Sequence, residues 1–463
     1  MKRNIHTGII ILIILAAAVI PHAGGASSLP GIDLPKVTKF DAGGGLTAYR
    51  ISDEIPMLTI TAAIGYGSLY ETRENAGAAA LLSKTISMAG SEKYPGPALY
   101  RAIETLGGRI GFDSSWEQTF ITITMLDRHA ETAFDILASL VAAPRLGDAD
   151  VNNARGLIVE SLKRQRDEPH FVAFEKLREI IYDGNGYGAT PTEKTLASMN
   201  AERLRAITSS HFTAGNTTLG ITSSLDGRVI ETLARKYFGA LRKGPRTSYV
   251  VDTAALSASL RDKAAKIYII PRDIPQSTIA VGTLAPRITA GDIIPVSVLN
   301  YILGGGSFNS RLMIEIRAKR GLSYSTASVV RPRKETGLFL AYAQTRNELA
   351  PLTLRLLQEN INGMRDNPVT PEEMEWTRKS LENSYIFEFD TPQNILGKYL
   401  FLDYNGLDES YLKNYIPRVH AVTPPQIMES GKTLLKDGLV RVVVGKKELA
   451  EKLREVGEVD VLK

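Results

Sequence analysis

The 463 residues carry 55 Lys and Arg against 50 Asp and Glu. A net charge of only +5, with no aromatic-interleaved basic run, argues against a nucleic-acid-binding surface. The chain has no cysteine, which excludes disulfides, thiolate metal sites, cysteine nucleophiles and lipid attachment at a Cys.

The length predicts two or more domains rather than one core. At the N-terminus, Lys2 and Arg3 precede an apolar run from Ile9 to Ile20, and Ala23 and Ala26 offer small-residue cleavage points. That order predicts a secretory signal peptide over residues 1–26, because the apolar run is short for a membrane span. No later stretch is apolar and long enough to cross a bilayer. An exported protein of the periplasm or cell envelope is expected, not an integral membrane protein.

Residues 36–245 read as a first domain. Strands are predicted at Leu46 to Ile51 and Leu58 to Ile64 from their β-type residues. A helix follows over Ala78 to Met88, and a second over Pro97 to Leu106, with Pro at its first turn and Gly107-Gly108 past its end. Strands Arg109 to Phe112 and Thr119 to Met125 come next. Helices are predicted at Glu131 to Ala142, Asp148 to Arg166, Phe171 to Ile181, Ala201 to His211 and Ile230 to Phe238, with a strand at Thr217 to Ile221. The basic, turn-rich stretch from Lys243 and the weakly patterned residues after it place a linker at 246–265.

Residues 266–463 repeat that order. Strands at Ile267 to Ile270 and Thr278 to Val281 precede a helix, Ile294 to Leu303, that stops at a glycine run. The next helix, Ser310 to Arg320, stops at Gly321, as the earlier one stops at Gly107. Strands Tyr324 to Val330 and Gly337 to Ala343, helices Leu352 to Met364 and Pro371 to Tyr385, helix Thr423 to Leu435 and strand Val440 to Val444 complete the match. The fold class expected is therefore α+β. It comprises two homologous domains, each an antiparallel sheet with its helices on one face, together forming half of a clamshell. Ligand sites favour such domain junctions.

The sharpest stretch is GGGSFNSRLMIEIRAKRGLSY, Gly304 to Tyr324. Ser307, Asn309 or Ser310 can cap the helix start. Phe308, Leu312, Met313 and Ile316 put apolar residues on one face, Lys319 and Arg320 suit the last turn, and Gly321 ends it. Arg317 and Tyr324 flank that turn, where a guanidinium and a phenol can point at one carbonyl. By spacing alone, a surface Arg and a strand Tyr fit the same pattern.

This stretch, the duplication and the segment ENAGAAALLSKTISMAGSEKYP followed by IETLGG resemble the pitrilysin-type (insulinase-like, inverted-zincin) metallopeptidases over nearly the whole mature chain. Active members carry H-x-x-E-H on the first helix and a Glu downstream as third zinc ligand. Here the motif positions fall on Ala80, Ser83 and Lys84, or in the other register on Leu81, Lys84 and Thr85, and the downstream position falls near Glu160 or Ser161. No cofactor and no metal ligand is expected in this chain. His129, His170, His211 and His420 are too scattered to supply one.

The resemblance implies that Arg317 and Tyr324 are the pair that reaches substrate across the clamshell and donates to the oxyanion, with Gly304, Gly305, Gly306 and Phe308 as substrate-binding candidates. In two-chain members one subunit carries the zinc motif and its partner carries Arg/Tyr. This chain is expected to be that partner, inactive alone, with zinc in the other subunit and a peptide as substrate. Peptide binding in the family adds a strand beside the stretch matching Arg109 to Phe112, where Gly111-Phe112 replaces Asn-Ala. Phe112 and Trp116 fit core packing equally. A peptide-binding scaffold of the cell envelope is the alternative. A serine hydrolase using Ser83, Ser114 or Ser161 lacks both a G-x-S-x-G elbow and a nearby His.

Overall fold

A computed structural model describes residues 34–462, so the expected signal peptide lies outside the described residues. Two six-stranded sheets carry the fold. The first contains β1 (Thr38–Asp41), β2 (Thr47–Ser52), β3 (Met57–Ile64), β4 (Arg109–Ser114), β5 (Thr119–Leu126) and β6 (Thr217–Ser223). The second contains β7 (Lys266–Pro271), β8 (Gln276–Ala285), β9 (Thr326–Arg331), β10 (Gly337–Arg346), β11 (Val440–Gly445) and β12 (Glu458–Val461). Their orders, β1-β2-β6-β3-β5-β4 and β12-β7-β11-β8-β10-β9, superpose strand for strand except at the outermost position. There the first sheet takes an N-terminal strand antiparallel to β2, and the second a C-terminal strand parallel to β7. The expected antiparallel sheets are therefore mixed, because β2 also pairs parallel with β6, and β7 with β11.

Alternation along the strands sets the layers. In β3 and β5, Leu58, Ile60, Ile121 and Ile123 are buried, and they join a core with α1 (Ala78–Ala89), α2 (Gly96–Glu104) and α3 (Ala130–Ala142). The long helix α4 (Asp148–Arg166) buries Val151, Ala154 and Leu162 against the same core. The second core repeats this with Ile279, Val281, Phe339 and Ala341 against Leu299, Leu312, Leu354 and Ile427. α1 starts without a cap of its own sequence. Glu71, buried, accepts from the backbone N–H of Gly77 (2.8 Å) and Ala79 (2.7 Å), so two orphan donors of the first turn are satisfied from a distance.

Helices on one face describe only part of each layer. The second face of each sheet is covered by a helix from the other half. α5 (Pro169–Ile181) lays Ala173, Leu177 and Ile181 on Ala280, Val440 and Val442 of the second sheet. The helix Pro392–Asn405 lays Ile395, Leu396 and Tyr399 on Tyr49 and Ile51 of the first. Each crossing passes over a glycine. A Cβ at Gly282 would sit 2.9 Å from Leu177 Cδ2, and one at Gly220 2.9 Å from Leu396 Cδ2. The expected linker also differs, since it holds a helix, Thr253–Ala264, capped by Asp252 and burying only Leu260.

Polar contacts lock the crossing. Asp403, near the end of the returning helix, accepts from Tyr49 Oη (3.1 Å) and Thr218 Oγ1 (2.8 Å) on the first sheet and pairs with Arg246 at 2.5 Å. Burial alone would raise the Asp403 pKa, but the Arg246 hydrogen bond and charge, with Thr218 and Tyr49, outweigh it and hold the carboxyl below its ordinary range. Its stabilising contribution is then complete above the ordinary aspartate pKa and lost as pH falls through the lower folded value. Asp403→Ala should cost about 2–3 kcal/mol in urea titrations at neutral pH. The gap between variant and wild type should close on acidification, and a gap that widens below pH 4 would contradict this assignment.

Candidate functional site

The Gly304 to Tyr324 stretch is built from turns wider than an α-helix. The helix Ile293–Asn300 runs into a π-turn, Tyr301–Gly305, and a second π-turn spans Met313–Ala318. The two plain helices expected here are thus each distorted, a feature common where function demands an odd direction of side chain. The expected side-chain caps are absent. Ser310 Oγ instead donates to the Ser307 carbonyl at 2.7 Å, and Ile314 N–H bonds the Ser310 carbonyl at 3.0 Å. Ser307 itself sits at φ 56°, an uncommon conformation for a residue with a Cβ.

Leu312 and Ile316 enter the second core as expected, but Phe308 does not join them; it is exposed. Its ring instead lies 5.1 Å from Arg317 Cζ, and the Tyr324 ring lies 4.5 Å from the same atom. Tyr324 is 83% exposed. Ring contacts attract a cation without using its N–H donors, and among the described residues no hydrogen bond uses those of Arg317. Among the described residues no carboxylate lies within ion-pair distance of Arg317. Glu315 is taken by Lys319 (2.5 Å) and Arg320 (2.5 Å). Gly321, at φ 61°, closes the turn by bonding the Arg317 carbonyl (2.9 Å), which fixes where that side chain emerges.

The three glycines have packing reasons. A Cβ on Gly304 would meet Ser328 N at 2.4 Å, one on Gly305 Asn300 Nδ2 at 2.7 Å, and one on Gly306 Trp376 Cη2 at 2.2 Å. Gly304 and Gly306 are buried and Gly305 is exposed. The helix Pro371–Tyr385 supports the whole stretch, through Trp376 and through a bidentate pair from Arg311 to Glu373 (2.7 and 2.8 Å). Sequence reasoning missed that support. Its signal was legible, because Thr370-x-x-Glu373 is a capping box whose Glu also faces the site.

The zinc positions do not fit a zinc ion. On α1, Ala80 is exposed, Ser83 is buried, and Lys84 would repel a cation. Glu160 is exposed on α4 and lies 3.9 Å from Arg164. Among the described residues no cluster of three His, Asp or Glu side chains is placed to hold a metal. His211 is packed against the Tyr66 and Tyr70 rings, and His420 pairs with Glu382. Phe112 packs against the first core, while Trp116 lies between the halves, with Arg178 and Arg333 over its ring.

Two mixed sheets of matching order, each backed by helices, with an Arg–Tyr pair on a glycine-stopped turn, define a duplicated peptidase-like α+β chain. The family models agree. Residues 48–195 match the insulinase family, peptidase family M16, and residues 198–381 match the model described as the peptidase M16 inactive domain. The chain belongs to this family, as a non-catalytic member without the zinc motif on α1. It is similar to an uncharacterized zinc protease of Bacillus subtilis, YmxG (25% identity, covering 73% of this chain and 83% of that one). It is also similar to the mitochondrial-processing peptidase subunit beta of Blastocladiella emersonii (24% identity, 71% and 73%). Its fold matches a peptidase M16 inactive domain from Pseudomonas fluorescens with a TM-score of 0.78 at 23% identity, covering 89% of this chain and 98% of that one. Among the described residues no helix is long and apolar enough to cross a membrane.

Packing and chemistry separate cleanly at this site. Gly306→Ala should destabilise the chain by about 1–3 kcal/mol through its clash with Trp376. Tyr324→Phe should change stability by less than about 0.5 kcal/mol. Thermal denaturation of both variants checks the contrast, and equal melting temperatures would refute the packing role of the glycine.

Proposed function

We propose that this chain is the Arg/Tyr-bearing subunit of a heteromeric zinc peptidase, exported to the periplasm or cell envelope. It supplies Arg317 and Tyr324 to a peptide bound at a homologous partner's zinc site. The observation that carries this reading is the Arg317 guanidinium, held against two exposed rings with no carboxylate within ion-pair distance among the described residues. A partner's zinc would polarise the scissile carbonyl and activate water. This chain's part is to bind and orient. In-plane N–H groups of Arg317 and the Tyr324 hydroxyl donate to the carbonyl oxygen as it gains charge, and Phe308 holds the guanidinium plane. The resemblance to two-chain family members supports the division of labour.

A scaffold that binds peptides without a catalytic partner is the second reading. It draws on β4, which ends its sheet and turns Arg109, Gly111 and Asp113 outward, with open space at Gly111.

The two separate in one reconstitution. The purified chain alone should contain no stoichiometric zinc by atomic emission and cleave no peptide. Mixed with an H-x-x-E-H homologue from the same source, it should give proteolysis. Arg317→Ala or Tyr324→Phe should lower kcat of the mixture about a hundred- to thousand-fold, the usual loss for one oxyanion donor. Full activity in both variants would remove the pair from catalysis. Tight peptide binding without any such homologue would favour the scaffold.

A further inference from the structure

A second site stands on the face of the second sheet away from Leu312 and Ile316. Strands β9 and β10 turn Val329, Leu340 and Tyr342 toward α5, and a cavity of about 530 Å³ opens between them. Phe174 of α5 and Trp116, at the β4–β5 turn, complete its apolar walls, so both halves of the chain build it. The volume is that of a small-ligand pocket.

Its charge is out of balance. Three guanidinium groups, Arg178, Arg331 and Arg333, face the cavity, against one carboxylate, Glu175. Among the described residues Glu175 is shared, pairing with Arg166 at 3.9 Å and offsetting Arg178 only in part. His170 at the rim lies 3.8 Å from Glu168. Arg178 has no carboxylate within ion-pair distance among the described residues. Its one hydrogen bond, to the Ala189 carbonyl, is long at 3.4 Å, and its buried Nε has no partner. Among the described residues Arg333 reaches only Glu117, at 3.9 Å, and its Nε is equally without a partner. The Glu117 carboxylate is already committed, since Oε1 accepts from Tyr187 Oη (2.6 Å) and Lys334 N–H (2.9 Å). Burial pushes the Arg178 pKa down, the direction expected of a cation whose compensation is incomplete. Trp116 holds both groups in place, 5.2 Å from Arg178 Cζ and 4.4 Å from Arg333 Cζ.

We propose that this cavity binds a carboxylate carried on an aromatic or branched aliphatic body, the guanidinium groups taking the carboxylate and the Phe174–Leu340–Tyr342 wall taking the apolar part. A guanidinium fork matches two carboxylate oxygens in one plane. Two sources share the chemistry, the C-terminal end of a peptide and a free aromatic acid. The inference does not depend on the Arg317–Tyr324 reading, because neither residue lines the cavity.

The chain has two tryptophans, and Trp116 is the one in the cavity, so Trp376→Phe leaves a single reporter. In that background, Trp116 fluorescence is titrated with the peptide Gly-Gly-Leu-Phe as free acid, with its C-terminal amide, and with 3-phenylpropionate. The acid should perturb Trp116, and the amide should bind about ten- to hundredfold more weakly, the loss of a charge-assisted bond. Phenylpropionate matching the peptide acid would assign a free acid, and preference for the peptide acid would assign a chain end. Arg331→Ala, an exposed change that spares the core, should weaken the acid and leave the amide unaffected. Acid and amide binding equally, or no response of Trp116 to either acid at millimolar concentration, would overturn the proposal.

Discussion

The structure depends on an exchange of helices. Each sheet has two faces to cover and each half of the chain supplies a helix layer for only one of them. α5 leaves the first half to lie on the second sheet, and Pro392–Asn405 leaves the second half to lie on the first. Each fully buried aliphatic side chain in these crossings is worth roughly 1.5–3 kcal/mol, so Leu177 and Leu396 with their neighbours bind the halves as tightly as a core does. Gly220 and Gly282 ease the approach, since a Cβ at either would crowd the packed Leu396 or Leu177 side chain. Neither half has a covered sheet without the other. The two repeats therefore behave as one body, although each carries the strand order of a domain.

That rigidity is what gives the exposed groups a fixed direction. Arg317 sits on a π-turn whose Ile316, with Leu312 just before the turn, is buried, and whose base is pinned by Arg311 to Glu373 and by Trp376 against Gly306. Burial raises the Glu373 pKa in isolation, but the Arg311 pair and the Thr370 N–H reverse the sign and keep the carboxyl charged. One carboxylate thus caps a helix and anchors a turn. The strained Ser307 lies one residue from Phe308, where the chain swings the ring out of the core and onto the guanidinium. Strain of about 1–3 kcal/mol persists only where surroundings over-determine it, and here the pinned turn on either side does so.

Much of this was legible in the residues because local signals and burial agreed. α4 and the helix Pro371–Tyr385 begin and end where caps, proline and charge place them, and the duplicated order follows from matching stop signals. The returning helix Pro392–Asn405 was not read. Its buried residues, Ile395, Leu396, Tyr399, Leu400, Leu402 and Tyr404 among them, cover a face so broad that the amphipathic contrast is weak. Its boundary signals were present, Thr391-Pro392 at the start and Gly406 in the left-handed conformation at the end. The linker helix escaped for the opposite reason, since only Leu260 is buried and propensity alone is a weak guide. The parallel pairs escaped because partner choice is long-range, and nothing in β2 or β7 names β6 or β11.

At the candidate site one cation differs from its neighbours. Lys319, Arg320 and Arg317 share a turn, and a single carboxylate, Glu315, serves two of them. Their pairing holds the Glu315 pKa down, so it remains charged and committed. Arg317 is left facing rings, which attract a cation without occupying its N–H edges. A guanidinium meant only for solubility needs no such arrangement. One meant to receive a carbonyl or carboxylate oxygen needs its donors unspent, its plane fixed and its nearest anion engaged elsewhere. At Arg317, on one side of the second sheet, the donors are unspent among the described residues and the carboxylate of its own turn, Glu315, is engaged elsewhere. At Arg333, over Trp116 on the other side of the same sheet, the donors are likewise incompletely spent and Glu117 is likewise engaged, while Arg178 on the same ring has no carboxylate within ion-pair distance among the described residues.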